Sequence, residues 1–397
     1  MSANLRSKRP VSLRGITWNH SRGFLPMVAT AQRFGEMWPN VDIHWEKRSL
    51  QDFADFGLSN LAGQFDLLVI DHTFLGWAAR EGAILPLDQH LSDDFVSSQN
   101  ASSVGLSSPG YSYAGHHWAA TIDAAAPVSS WRPDLLERAK VSVPRSWEEV
   151  LDLAQYGLVT FSAAPFDALM NFYTVCCALD REPFADEGPM VEIEVAAEAL
   201  TMLRELLSLC SREVLGHNPI VTYELMSSSD SIAFCPFAFG YSNFARSGYA
   251  KNRLQFGDLC QIESSVKTRS PLGGTALSVS SRCPHKEIAL EYLKFVSSEE
   301  CQRGLYFYCG GQPGHRAAWT DPQTNWITQN YFEDTLPVLD RASLRPRYDG
   351  YIPFQDVAAR LVHTFLSDGG DPRLTAKTLR AVHDQSRVSG RSVWNHG

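Results

Sequence analysis

An α/β protein built on a mostly parallel sheet is predicted by three observations. Short apolar strand-like runs alternate with amphipathic runs through the N-terminal third. Glycine and capping signals fall between these runs rather than inside them. The chain has 397 residues with 44% apolar and 20% charged content, enough for two lobes with substantial cores.

The elements follow in order. Val11–Trp18 is apolar and partly β-branched, a strand. Met27, Ala31, Phe34 and Trp38 recur at helical spacing. VDIHWE (41–46) alternates as a strand does, a second helical stretch includes Leu58–Leu61, and DLLVID (66–71) is a short buried strand. Thr73–Gly82 is helical and stops at a glycine suited to the C′ position. This βαβαβ order predicts a parallel sheet with right-handed crossovers. Leu91–Tyr113 is rich in Ser and Gly and is expected to be a surface loop. Ser146-Trp-Glu-Glu149 is a capping box that opens a helix reaching Ala154. A long helix is expected over Val191–Cys210, strands over Ser231–Phe237 and Ala276–Val279, and a helix after Pro284 with Ile288, Tyr292 and Val296 on one face. Beyond Gly310 the chain is rich in Pro, Gly and Trp, then helical over about 354–365 and 371–386.

Composition excludes several classes. Lys+Arg number 35 against 44 Asp+Glu, a net charge of −9, and no basic cluster is interleaved with aromatics, so no nucleic-acid partner is expected. No apolar run approaches the ~18 residues of a membrane span. The start, MSANLRSKRPVSLRGITW, has no apolar core and no cleavage site of a secretory signal. The eight cysteines form no C-x-x-C pair, as suits reduced, packed thiols. A cytoplasmic location is expected for the sequence as it stands, and a periplasmic one if the true start lies upstream.

In an open parallel sheet a ligand lies outside the carboxyl ends of the strands. That rule selects TWNHSRG (17–23), after the first strand, and Asp71–Thr73, after the third. Trp18 can stack on a sugar face or an aromatic ring; Asn19, His20, Arg22, Asp71, His72 and Thr73 can hydrogen-bond hydroxyls or a carboxylate. From the second lobe, PFAFGYSNFA (236–245) offers Phe239 and Tyr241, PLGGTA offers Gly273 and Gly274 for close backbone approach, and RYDGYIPF (347–354) offers Tyr348 and Tyr351. His117, Asp123 and Gln312 complete the candidate ligand set. No metal site is expected, since His20, His72, His117 and Asp123 lack a paired ligand spacing. There is no G-x-S-x-G, P-loop or G-x-G-x-x-G motif, and no cofactor is expected. Were the chain an enzyme, His20, His72 and Asp123 would be its acid/base groups. Cys309 is the candidate for a reactive thiol.

Four segments, in order, resemble one family. FDLLVIDHTFLGWAAREGAILPLDQHL (65–91) is similar to its strand, helix and Gly-x-Leu-x-Pro-Leu-Asp. YSYAGHHWAATIDAAAPVSSWRPDLLERAKVSVPRSWEEVLDLA (111–154) is similar to its Tyr-x-Gly-Lys-x-Tyr, Tyr-Asn-Lys-Asp-Leu-Leu and Pro-x-Thr-Trp-x-Glu-Leu series. GGTALSVSSRCPHKEIALEYLKFVSSEECQ (273–302) and GGQPGHRAA (310–318) are similar to its Gly-Gly strand–helix and Gly-x-x-Pro turn. The chain thus resembles family 1 of the extracellular solute-binding proteins of ABC transporters, in particular its sugar and oligosaccharide binders. His116-His117 and Ser130-Trp131-Arg132 depart from the family pattern, and the family's export signal is missing.

The resemblance implies a two-lobed periplasmic-binding-protein-like fold of type II. It implies crossovers near Thr121–Ala126, Pro271–Gly274 and Pro313–Arg316, with lobes of residues 1–122 plus 273–314 and 123–272 plus 315–397. A small polar ligand, a sugar or a sugar-like organic acid, would be enclosed by hinge closure. An ABC permease would be the partner of an exported chain, and a monomer is expected. The alternative is an enzyme on the same fold, doing elimination or hydrolysis with its cleft His and Asp groups.

Overall fold

A computed structural model of the chain describes residues 10–49, 61–179, 182–185, 189–262 and 267–391. The helical stretch expected around Leu58–Leu61 lies outside them except for Leu61. The strands are β1 (Val11–Trp18), β2 (Val41–Arg48), β3 (Leu67–Ile70), β4 (Ser112–Tyr113), β5 (His116–His117), β6 (Ala120–Ala125), β7 (Pro127–Trp131), β8 (Phe234–Phe239), β9 (Gln255–Gly257) and β10 (Gly273–Val279). They fall into two compact units, residues 1–124, 273–324 and 347–349, and residues 125–272, 325–346 and 350–397. The chain therefore passes from one unit to the other after 124, 272 and 324, against the expected 122, 272 and 314. It also returns to the first unit for residues 347–349 alone.

The first unit holds a five-stranded sheet in the order β2-β1-β3-β10-β6. β1 runs parallel to β2 along its whole length, Val11 opposite Val41 and Trp18 opposite Arg48, and parallel to β3. The outer face of β1 and β2 alternates as the sequence pattern predicts, and β3 is buried on both faces. β10 enters antiparallel to β3. The helix Ser21–Met37 lays Met27, Ala31 and Phe34 on the sheet, against the helix Lys286–Ser297 with its Tyr292 and Leu293. Tyr292 Oη is satisfied inside this core by Thr30 Oγ1 at 2.8 Å and by Trp45 Nε1, which donates to it at 3.2 Å.

The second unit has a three-stranded sheet, β8-β7-β9, antiparallel throughout. Here the expectation of a mostly parallel sheet in each lobe is corrected. An apolar run marks a strand but carries no direction. Direction comes from the connections: a long helical excursion joins β7 to β8, and a short segment, 240–254, joins β8 to β9, with no single crossover helix in either. The capping box forms as expected, Ser146 Oγ accepting from Glu149 N and Glu149 Oε2 accepting from Ser146 N. The helices Pro165–Ala178, Ile193–Leu209 and Tyr351–Asp368 build the core beside this sheet.

Part of the expected loop over Leu91–Tyr113 is helical. Asp93–Ser102 forms a helix inside the Ser-rich segment, because Ser92 caps it through Phe95 N and Asp93 and Asp94 lie at the favourable end of its dipole. The segment after Gly310 contains the helices Arg316–Trp319, Pro322–Ile327 and Tyr331–Asp340. Among the described residues, no helix is long and apolar enough to cross a membrane. All eight cysteines are free thiols.

Candidate functional site

In the first unit, the turn after β1 is fixed from within. Trp18 is buried, and its ring lies where a Cβ on Gly23 would come within 2.3 Å of it. The indole therefore belongs to the core, and glycine at 23 is what lets the helix start against it. Asn19 is exposed. His20 is the N-cap of the helix Ser21–Met37, its Nδ1 accepting from Arg22 N at 3.0 Å. Burial, then the nearby Arg22 charge, lowers its pKa to about 3, so the imidazole is neutral at physiological pH.

Arg22 turns inward to Asp123 on β6. Nε donates to Oδ2 at 2.8 Å and Nη2 to Oδ1 at 2.5 Å, with both side chains at most 4% exposed. Burial raises the Asp123 carboxyl above its usual range, against the pull of the guanidinium. The fork geometry satisfies two buried charges at once.

After β3, Asp71 Oδ1 accepts from Thr73 N at 3.1 Å and from Thr73 Oγ1 at 3.3 Å, and lies 3.0 Å from His72 Nδ1. His72 is buried with its ring edge-on to Tyr111. His117 Nδ1 lies 3.1 Å from Ser112 Oγ across the β4–β5 pair, while its backbone N–H donates to Asp88. Burial lowers the His117 pKa. Gln312 is buried and donates to Ala124 O at 2.8 Å. Gly274, at φ +94°, serves a close approach, but to backbone: a Cβ there would stand 2.4 Å from Asp123 O. Gly273 begins β10 beside it. Tyr348 is half-buried, on a segment whose backbone lies against Gly76.

In the second unit, Phe239 at the end of β8 stacks on Phe166, centroids 6.2 Å apart at 18°. The guanidinium of Arg345 lies 5.6 Å from the Phe166 centroid, and Arg345 Nη1 donates to Gln355 Oε1 at 3.0 Å. Both rings are part-exposed. Next to Phe166, in the first turn of Pro165–Ala178, the Asp167 carboxyl is buried and its pKa is raised by desolvation to about 8. Tyr241 and Tyr351 are core residues: Tyr241 packs near Tyr223, and Tyr351 against Phe184 and Phe354.

The structure thus gathers Arg22 with Asp123, and Asp71 with His72 and Thr73. It does not bring Trp18, Tyr241 or Tyr351 to a surface. Sequence reasoning missed Phe166, Asp167 and Arg345. The available signal was PFD at a helix start, Pro at N1 followed by a ring and an acid.

No family model matches the sequence. Solved structures do resemble it. Maltose-bound MalE3 of T. maritima superposes with a TM-score of 0.82 at 18% identity, covering 95% of this chain and 99% of that one. An ABC-transporter solute-binding protein of Agrobacterium radiobacter K84, in complex with ribitol, gives 0.81 at 16%, covering 97% and 99%. The maltose/maltodextrin-binding domain of Bdellovibrio bacteriovorus, bound to maltotriose, gives 0.79 at 14%, covering 95% and 100%. The fold is that of the ABC-transporter solute-binding proteins. In this solute-binding fold, His20 and Asp123 are occupied as helix cap and ion-pair partner.

Proposed function

We propose that the protein binds an uncharged sugar or polyol reversibly, without a covalent step, with closure of the two units as the mode of capture. The observation that carries this is the part-exposed stack of Phe166 on Phe239, centroids 6.2 Å apart at 18°. Arg22, the candidate cation after β1, has its charge matched by Asp123. A hydroxyl-rich ligand needs aromatic faces and polar side chains. Phe166 and Phe239 offer the first, and Asp71 and Thr73 the second. The maltose, ribitol and maltotriose carried by the structural relatives support the same class. An ABC permease is the partner such a binder would serve.

Thermal unfolding against a panel of neutral sugars and polyols, with gluconate and citrate as charged competitors, tests this. A ligand at 100 times its Kd stabilises by about 2.7 kcal/mol, a rise of several degrees. Mass spectrometry of the recovered ligand should show it unchanged. A shift from the acids alone, or a chemically altered ligand, overturns the proposal.

A further inference from the structure

Three arginines of this chain hold a carboxylate in the same way. Arg22 on Asp123, Arg132 on Asp134 and Arg373 on Glu194 each donate from Nε and Nη2 together, the side-on fork of the guanidinium. Arg347, in the first unit, uses its other end. Its Nη1 donates to the backbone carbonyls of Ser112 at 2.8 Å, Gly110 at 3.2 Å and Pro109 at 3.3 Å. Among the described residues, its Nε and Nη2 donate to no acceptor and no carboxylate pairs with it.

The setting leaves that cation in need of a counter-charge. Arg347 is half-buried, and burial lowers its pKa, the mark of a charge part-stripped of water. Carbonyl oxygens orient a guanidinium but carry no net charge. Two carboxylates of the neighbourhood are engaged elsewhere: Asp349 by Arg80, and Asp88 by His116 and by the backbone N–H of His117. The guanidinium is also fixed in place. Besides its three carbonyls, its own backbone rests on Gly76, where a Cβ would come within 2.2 Å of Arg347 O. A second donor stands close by. Tyr113 follows Ser112 directly, and its half-buried phenol is within electrostatic reach of the Arg347 and Asp349 charges. Among the described residues, Tyr113 Oη makes no hydrogen bond.

We infer that Arg347 is a binding site for the carboxylate group of a small organic acid, held by Nε and Nη2 in the fork used elsewhere in the chain, with the Tyr113 hydroxyl as a further donor. The site is additional to the one for a sugar or polyol and does not rest on that reading. Because the fork is held ready by main-chain contacts, little ordering is needed when the acid arrives.

Acetate titrated into the full chain against chloride, at constant ionic strength, tests this. The Nε–Hε resonance of Arg347, identified by its loss in Arg347→Lys, should move saturably with a Kd of roughly 1–30 mM. The backbone amides of Ser112 and Tyr113 should move with it. Arg347→Lys keeps the charge but has no fork, so these amides should cease to follow acetate. Tyr113→Phe should weaken acetate binding roughly 2- to 10-fold and leave the unfolding temperature unchanged. The site is overturned if the Arg347 resonance does not saturate, if Arg347→Lys binds acetate as well as the wild type does, or if inorganic phosphate binds where acetate does not. Should Arg347→Lys not fold, the wild-type titration and Tyr113→Phe decide the matter.

Discussion

Arg22 and Asp123, 101 positions apart, meet in a buried two-point ion pair that ties the start of the first helix to the strand from which the chain leaves the first unit. Removing one partner leaves the other charge buried and unmatched. Asp123→Ala should therefore lower stability by roughly 3–5 kcal/mol in urea denaturation. The double variant Arg22→Met/Asp123→Leu should recover most of that loss. A single-variant cost under about 1 kcal/mol would show that the pair is not closed in solution.

His20 gives the protein an acid-side dependence of known sign. Its folded pKa is about 3, below the ordinary 6.5. As pH falls from 6.5 toward 3, the unfolded chain binds a proton that the folded chain refuses, so stability declines through that window and is complete above it. Protonation would also remove the Nδ1 acceptor that caps Arg22 N. His20→Asn, which keeps a capping oxygen, should flatten this slope at nearly unchanged neutral stability, whereas His20→Ala should cost about 1 kcal/mol. Urea midpoints at pH 4.5 and 7 distinguish them.

Asp167 works in the opposite direction. Desolvation raises its folded pKa from 3.8 to about 8. Between these values the unfolded chain releases a proton that the folded chain keeps, so stability decreases as pH rises from about 4 to 8 and levels off beyond. Asp167→Asn should remove that decline and make the protein more stable at pH 8 than the wild type. Equal stability of the two at pH 5, 7 and 9 would refute a neutral buried carboxyl.

The stacked pair Phe166–Phe239 is a part-exposed aromatic surface of the second unit. Losing one ring should weaken sugar binding by about 3- to 10-fold in titration calorimetry, the equivalent of ~0.5–1.5 kcal/mol. Tyr351→Phe, in the core, should leave affinity unchanged. An equal effect from both substitutions would mean that the aromatic loss acts through folding.

The parts that were legible in the sequence are those set by neighbours in the chain. Periodicity placed β1, β2, β3 and the helix after Pro284, and the capping box at Ser146 read true because both partners lie three residues apart. What was hidden depends on distance along the chain. Nothing near Arg22 announces Asp123, and nothing near Phe239 announces Phe166. Tyr348 and Tyr351 look alike in RYDGYIPF, yet one rides on the first unit and the other fills the core of the second, because the chain changes unit at Gly350. Trp18 looked like a stacking ring because it ends a strand; the missing side chain of Gly23, five residues on, is what draws it inside.

The position of β10 bears on how the protein is made. It fills the slot between β3 and β6, yet it is encoded some 150 residues after β6, from Gly273 onward. A ribosome that has just released Ala124 has delivered four strands of a sheet whose fourth place is vacant, with β3 and β6 each presenting an unpaired edge. Residues 125–272, the larger part of the second unit, must emerge before that place can be filled. For that interval the nascent first unit depends on chaperones or on the speed of translation, and a fragment ending at Ala124 is expected to aggregate rather than fold.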